Sequence, residues 1–153
     1  MKSSFLMSVL VGTLALAACG CKSKEAQVQG RWKVKEVTLT GVAGAQAESM
    51  KGLLMSTTYQ FKDDKKVSIS MAKAAMEGDW ALTSKGVEIN IKTVLGLTLD
   101  QIKQKAKGAP EASMLAEVWY KPVLGILSGD GKTLTIAVPG GLGSFILEKD
   151  SSG

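Results

Sequence analysis

The sequence predicts a mainly β domain: about eight antiparallel strands in an up-and-down barrel with one or two short helices inserted, or the same strands as an open sheet or β-sandwich. Three observations carry this reading. Apolar and polar residues alternate with period two over most of Gly30 to Lys149. Successive alternating runs are joined by short polar turns, so strands adjacent in sequence are adjacent in the sheet. Two segments break the alternation with helical spacing instead.

The first strand covers about 31–39. Its phase changes along the way, with Trp32 and Val34 on one face and Val37 and Leu39 on the other. A slip of one residue turns every side chain over, so a bulge or sharp bend is expected near Lys35-Glu36. Val42–Ser56 is ambiguous. Ala43, Ala47, Met50 and Leu54 suggest an apolar helical stripe, while Gly41, Gly44 and Gly52 weaken it by up to about 1 kcal/mol per interior glycine. Strands at 57–62 and 66–72 flank Asp63-Asp64-Lys65, giving a hairpin with Tyr59, Phe61, Val67, Ile69 and Met71 facing inward. Strands at 78–83 and 87–92 repeat the scheme around Ser84-Lys85-Gly86.

Thr98-Leu99-Asp100-Gln101 has the capping-box form, and Leu99, Ile102 and Ala106 follow at helical spacing. With Gly108 and Pro110 as stop signals, a helix is predicted over 98–107. Pro110–Glu117 suits a second helix with Pro in its first turn. The next strand, 118–127, contains Pro122, which cannot donate to a ladder and marks a bend or edge. Ser128-Gly129-Asp130-Gly131 turns it into a strand at 132–138, and Pro139–Gly143 leads into the last strand, 144–149.

The chain has 153 residues, no His, two Cys and a formal charge of +5. Without His it lacks the commonest general base and the commonest metal ligand. The usual Ser-His and Cys-His triads are excluded, Ser-Lys variants apart, and the domain reads as non-catalytic, with no cofactor and no metal site. The cations are almost all Lys, with Arg31 the single Arg. No aromatic-plus-basic stacking motif points to nucleic acid. Scattered lysines solubilise a β-rich surface and guard its edges, with mild attraction to anionic head groups.

At the N-terminus, Lys2 precedes an apolar run from Phe5 to Ala18 broken only by Ser8, Gly12 and Thr13. This is the length of a secretory core and too short for a comfortable membrane span. Leu16-Ala17-Ala18-Cys19 resembles the bacterial lipobox. The resemblance implies cleavage between Ala18 and Cys19, a diacylglycerol thioether on Cys19, and usually a further acyl chain on the new amine. It divides the chain into a signal peptide (1–18), a lipidated Cys with a polar tether (19–29) and a β domain (30–149). Two or more acyl chains hold a protein stably on a bilayer, which one chain does not. Gly20 stands where an Asp would mark inner-membrane retention in many enterobacterial lipoproteins, so the outer membrane is favoured. The alternative is an ordinary secretory signal cut at an Ala-x-Ala-like site. With Cys19 acylated, Cys21 has no intramolecular disulfide partner and reads as a solvated tether residue, or one that pairs between chains.

Gly30-Arg31-Trp32 at the start of the first strand resembles the Gly-x-Trp motif of the lipocalins and the wider calycin superfamily, and the strand count agrees. In that superfamily a basic residue late in the last strand packs over the Trp and closes the barrel base. Phe145, Leu147 and Lys149 share a face, so the resemblance gives Lys149 that place, as a cation–π partner worth about 0.5–1 kcal/mol. Gly78–Leu82, Asp130–Thr135 and Phe145–Lys149 also resemble strands of small lipocalin-like domains in bacterial lipoproteins. The chain departs from the pattern in having Lys for the usual Arg, in lacking a Thr-Asp-x-x-Tyr-type signature, and in its helical insertion around 93–117.

The expected function is that of a membrane-anchored envelope lipoprotein whose barrel accepts a small apolar or lipid-like ligand. Met50, Met55, Met71, Met76 and Met114 make an adaptable core. Met71, Trp80 and Trp119 are the expected lining, with Leu99 and Ile102 on a helical lid; a simply packed core is the plainer alternative. A second expectation is an interaction or inhibitor lipoprotein, docking to another envelope protein through Val94-Leu95-Gly96-Leu97 or the Val138–Gly143 turn.

Overall fold

The computed structural model describes residues 23–107 and 117–150. Ala18, Cys19, Cys21 and most of the helix expected over 110–117 lie outside them. Eight strands run in chain order: β1 Gly30–Leu39, β2 Thr58–Phe61, β3 Lys66–Met71, β4 Ala74–Thr83, β5 Gly86–Val94, β6 Val123–Leu127, β7 Thr133–Ala137 and β8 Gly143–Lys149. Each pairs antiparallel with the next, and β8 returns to β1, closing a barrel. Closure removes the open-sheet and sandwich alternatives. Three α-helices lie wholly within the described residues, α1 Lys24–Val28, α2 Gly44–Met55 and α3 Leu99–Lys105, together with a 3₁₀ turn at Pro139–Gly141.

The barrel has two unlike ends. At the base lie the β2–β3, β4–β5 and β6–β7 turns, with α1 beneath them. The mouth carries α2, the β3–β4 turn, the long α3 connection and the Pro139–Gly141 turn. Base turns are stabilised by local side-chain chemistry. Lys66 N donates to Asp64 Oδ1 at 3.0 Å, and Ser128 Oγ receives the backbone N–H of Thr133 at 3.0 Å.

Closure depends on the phase change in β1. The β1–β8 register shifts between Val34 and Glu36, so Trp32 and Val34 before the shift and Val37 after it all face the core. A second shift, between Glu77 and Gly78 in the β4–β5 ladder, has no counterpart in the sequence reading.

At the base, Trp32 is fully buried, and its Nε1 donates to the Val28 carbonyl at 2.7 Å. Lys149 Nζ lies 5.4 Å from the Trp32 ring centroid and donates to the Gln27 carbonyl at 2.6 Å. Gly30 has φ +118°, and a Cβ there would sit 3.2 Å from Lys149 Cε. The Gly-x-Trp spacing therefore lets the Lys149 stem cross the start of β1 on its way to the end of α1.

Three elements differ from the sequence reading. Residues 24–28, given to a polar tether, form α1, capped by Ser23 Oγ and anchored by a fully buried Val28. β4 begins at Ala74 rather than at 78, because Met71 pairs with Ala74 across a two-residue turn with Ala72 at φ +50°. The strand expected over 118–127 starts only at Val123, and residues 117–119 are helical. Pro122 ends that irregular stretch, as its missing N–H requires.

Two glycines separate close approach from flexibility. A Cβ at Gly78 would fall 2.2 Å from the Asn90 carbonyl oxygen, whereas Gly52, inside α2, has nothing within 4 Å. Gly78→Ala is expected to cost about 3 kcal/mol or more, since the neighbour is backbone and cannot rotate away. Gly52→Ala is expected to gain about 0.5–1 kcal/mol. Denaturant midpoints at constant m-value decide both.

Candidate functional site

Core packing changes along the barrel axis. Near the base, Trp32, Phe61, Val67, Trp80, Val87, Leu134 and Leu147 are all essentially inaccessible. Phe61 meets Trp80 edge to face at 5.8 Å. Towards the mouth, Tyr59, Ile69, Met71, Met76, Ile91 and Val138 are buried but slightly less so. These inward residues of β2–β5 and the end of β7 surround a cavity of about 50 Å³, roofed by Leu54 of α2 and by Trp119. A second hollow of about 180 Å³ lies outside that roof, among Met50, Leu53, Val118 and Leu142. Leu54, Met71, Trp119 and Val138 line both, so these four side chains are the partition between inner cavity and outer groove.

The lining is almost wholly apolar. Its polar side-chain groups are the Thr57 and Tyr59 hydroxyls and the Trp119 indole N–H. Thr57 is satisfied: its Oγ1 donates to Leu53 O at 3.3 Å, and its backbone bonds to Leu54 and Val34. Tyr59 is different. Its ring contacts Phe61 and Phe145 at 6.1 Å between centroids, and burial, with no hydrogen bond to offset it, pushes its pKa well above 10.0. No described residue supplies its hydroxyl with a partner, and no Lys, Arg, Asp or Glu lines the cavity.

Of the residues expected to line a ligand site, Met71 and Trp119 line this cavity. Trp80 does not. It sits near the base, where its Nε1 donates to Lys62 O at 2.9 Å and Lys65 Nζ lies 4.4 Å over its ring. Alternation places a side chain inside a barrel but says nothing of depth along the axis. Leu99 and Ile102 do not line it either: both are half-buried on α3, which contributes no buried residue and is no lid over the cavity. The α3 capping box itself forms, through Thr98 and Gln101. What ties this region to the barrel is Tyr120, whose hydroxyl accepts from Val94 N at 3.1 Å and donates to Leu97 O.

Leu95 is 62 % exposed, whereas Val94 and Leu97 are half-buried and bridge to each other. In the other expected docking segment, Val138 is buried in the cavity wall and Leu142 is half-buried.

Among the described residues no three of His, Cys, Asp and Glu stand close enough to hold a metal ion. Ser70-Met71-Ala72-Lys73 carries the Ser-x-x-Lys spacing, a feature the sequence reading passed over. That spacing aligns the two side chains on a helix. Here Ser70 lies on the outer face of β3, next to its last residue, and Lys73 sits in the turn, both exposed and with no hydrogen bond between them.

No protein-family model matches the chain, and no curated protein does. Among solved structures, a DUF4847-family protein from Bacteroides vulgatus is similar over 85 % of this chain and 99 % of its own, at 14 % identity and a TM-score of 0.47. Neither figure carries an activity across, so the functional reading rests on this chain's own residues.

A tyrosine whose folded pKa is raised stabilises the fold below its unfolded pKa, and that contribution is lost as pH climbs beyond it. The parent protein is therefore expected to lose stability above pH 10.0 more steeply than Tyr59→Phe, by up to about 1.4 kcal/mol per pH unit. Denaturant titrations between pH 9 and pH 11.5 measure the difference, and parallel curves would show that Tyr59 is not held neutral by burial.

Proposed function

We propose that this protein is a non-catalytic envelope lipoprotein, anchored by acylated Cys19, whose barrel mouth binds a small apolar ligand. The observation that carries the binding reading is the pair of apolar hollows divided by Leu54, Met71, Trp119 and Val138. A cavity of 50 Å³ alone admits no more than one or two waters. An apolar cavity of roughly 150 Å³ is enough for a benzene-sized molecule, and the two hollows joined exceed that. The partition consists of side chains, and its Met71 is unbranched and adaptable. The ligand is thus a small apolar body, or the end of a larger one, entering past α2 and Trp119.

The anchoring reading rests on the lipobox-like Leu16–Cys19 segment and is supported by the barrel's polarity. Membrane-spanning barrels turn apolar residues outward. This one fills its interior with them and sets Lys33, Lys35, Gln60, Lys66 and Glu77 on outward-facing strand positions. Such a barrel sits beside a bilayer rather than in it. Ser23 caps α1 only four residues beyond Cys19, a reach of about 14 Å at most. An acyl anchor there holds the closed base towards the lipid and points the mouth away. The absence of Asp after Cys19 favours the outer membrane.

A docking role towards another envelope protein is the second reading, favoured by Leu95 and by Ile126, which is 52 % exposed on the outer face of β6. A photo-crosslinker at position 95 in intact envelopes separates the two: one stoichiometric adduct supports docking, and none supports the ligand reading.

Cys19→Ser is expected to abolish acylation and lipoprotein-type cleavage and to release the protein from membranes. A variant that stays bound and is trimmed at the same bond would overturn the anchor. For binding, ¹³C-methyl signals of Met71 and Met76 are expected to shift when ethylbenzene is titrated in. Unmoved methyl signals would overturn the ligand reading.

A further inference from the structure

We infer that the ligand is a neutral molecule that buries one hydrogen-bond acceptor against the Tyr59 hydroxyl, an anchor set inside an otherwise apolar cavity. The inference rests on the binding reading above and specifies its chemistry. Tyr59 is 7 % exposed and lines the cavity, yet no described residue bonds its hydroxyl. The hydroxyl is not sealed in, and a polar group with no protein partner on a mostly apolar cavity is met by water or by a ligand. The other polar side-chain groups of the lining are the Thr57 hydroxyl, already donating to Leu53 O, and the Trp119 indole, so a water there gives up most of its own hydrogen bonds. Phe at this position would keep both ring contacts and leave nothing unpaired, so the oxygen is there at a cost to the empty fold.

Its chemistry narrows the ligand. Burial keeps the phenol neutral through the physiological range, so it serves as a donor to a carbonyl, ether or ester oxygen. A carboxylate is excluded from the cavity. No Lys or Arg lines it, and a single phenol cannot compensate an ionised group withdrawn from water. A free fatty acid can therefore enter only tail first, whereas a neutral ketone, ester or aryl ether enters with its oxygen leading. Met71 and Met76, on the cavity wall with Tyr59, adjust to the apolar remainder.

The test uses the full chain and three probes of similar size: acetophenone, ethylbenzene and benzoate. Methyl signals of Met71 and Met76 report occupation of the cavity itself. Comparing the parent with Tyr59→Phe under identical conditions cancels any partition of the probes into detergent. The parent is expected to prefer acetophenone over ethylbenzene by about threefold to tenfold more than Tyr59→Phe does, with benzoate leaving the methyl signals unmoved. Tyr59→Phe is expected to bind ethylbenzene at least as well as the parent and to melt at the same temperature or a few degrees higher. The same probe ratio in both proteins, or benzoate acting like acetophenone, overturns the Tyr59 anchor while leaving the apolar-ligand reading intact. If no probe moves the methyl signals, that reading falls, and the anchor with it.

Discussion

Everything in this fold hangs on how Trp32 is held at the barrel base. Its indole N–H is satisfied by the last carbonyl of α1, and its ring is approached by the Lys149 ammonium, which also binds the α1 backbone. One side chain thus joins the first strand, the last strand and the preceding helix. A β1–β8 seam must close somewhere in any barrel, and here it closes around a ring that no solvent reaches. Lys65 adds a second tie, lying over Trp80 and 2.6 Å from Glu25 of α1 in an ion pair without an aligned hydrogen bond. Both members of that ion pair are partly exposed, so it contributes less.

From that fixed end the interior loosens towards the mouth. Aromatic and β-branched side chains fill the base completely. Methionines, a tyrosine and the edge of α2 fill the other end incompletely. The same division separates stability from recognition: the base can be rigid because nothing enters there, and the mouth can adapt because the base keeps the strands in register. The β1 bulge links the two, turning Val37 inward so that the upper half of β1 still has an apolar face to offer.

Much of this was legible in the chain. The break of phase at Lys35-Glu36 located the bulge, Asp-rich and Gly-rich strings located the base turns, and Thr98-Leu99-Asp100-Gln101 located α3. The failures share a cause, since each depended on pairing or docking that the local residue pattern does not show. α1 is a single turn with too few residues to be stable alone, and it exists because Val28 and the Gln27 carbonyl dock onto the barrel. Ala74 and Ala75 carry no strand signal and pair only because Met71 and Ser70 lie opposite. Trp80 was correctly read as inward, but it lies at the base and does not line the cavity. Tyr59 was read as inward too, but a missing partner is visible only once all the neighbours are in place.

The ladders around the hoop are unequal, and β6 is its least-paired stave. It shares three residue pairs with β5 and three with β7, whereas β4 and β5 share eight. Val123, at its upper end, belongs to the cavity wall, and above Ile89 the β5 backbone has no β6 neighbour. Segments held by few hydrogen bonds open at the lowest free energy. Compliance is therefore concentrated on one flank: the ring can dilate beside β6 and recoil while the opposite wall stays fixed, and amide protons on β6 should exchange before those of the β4–β5 pair.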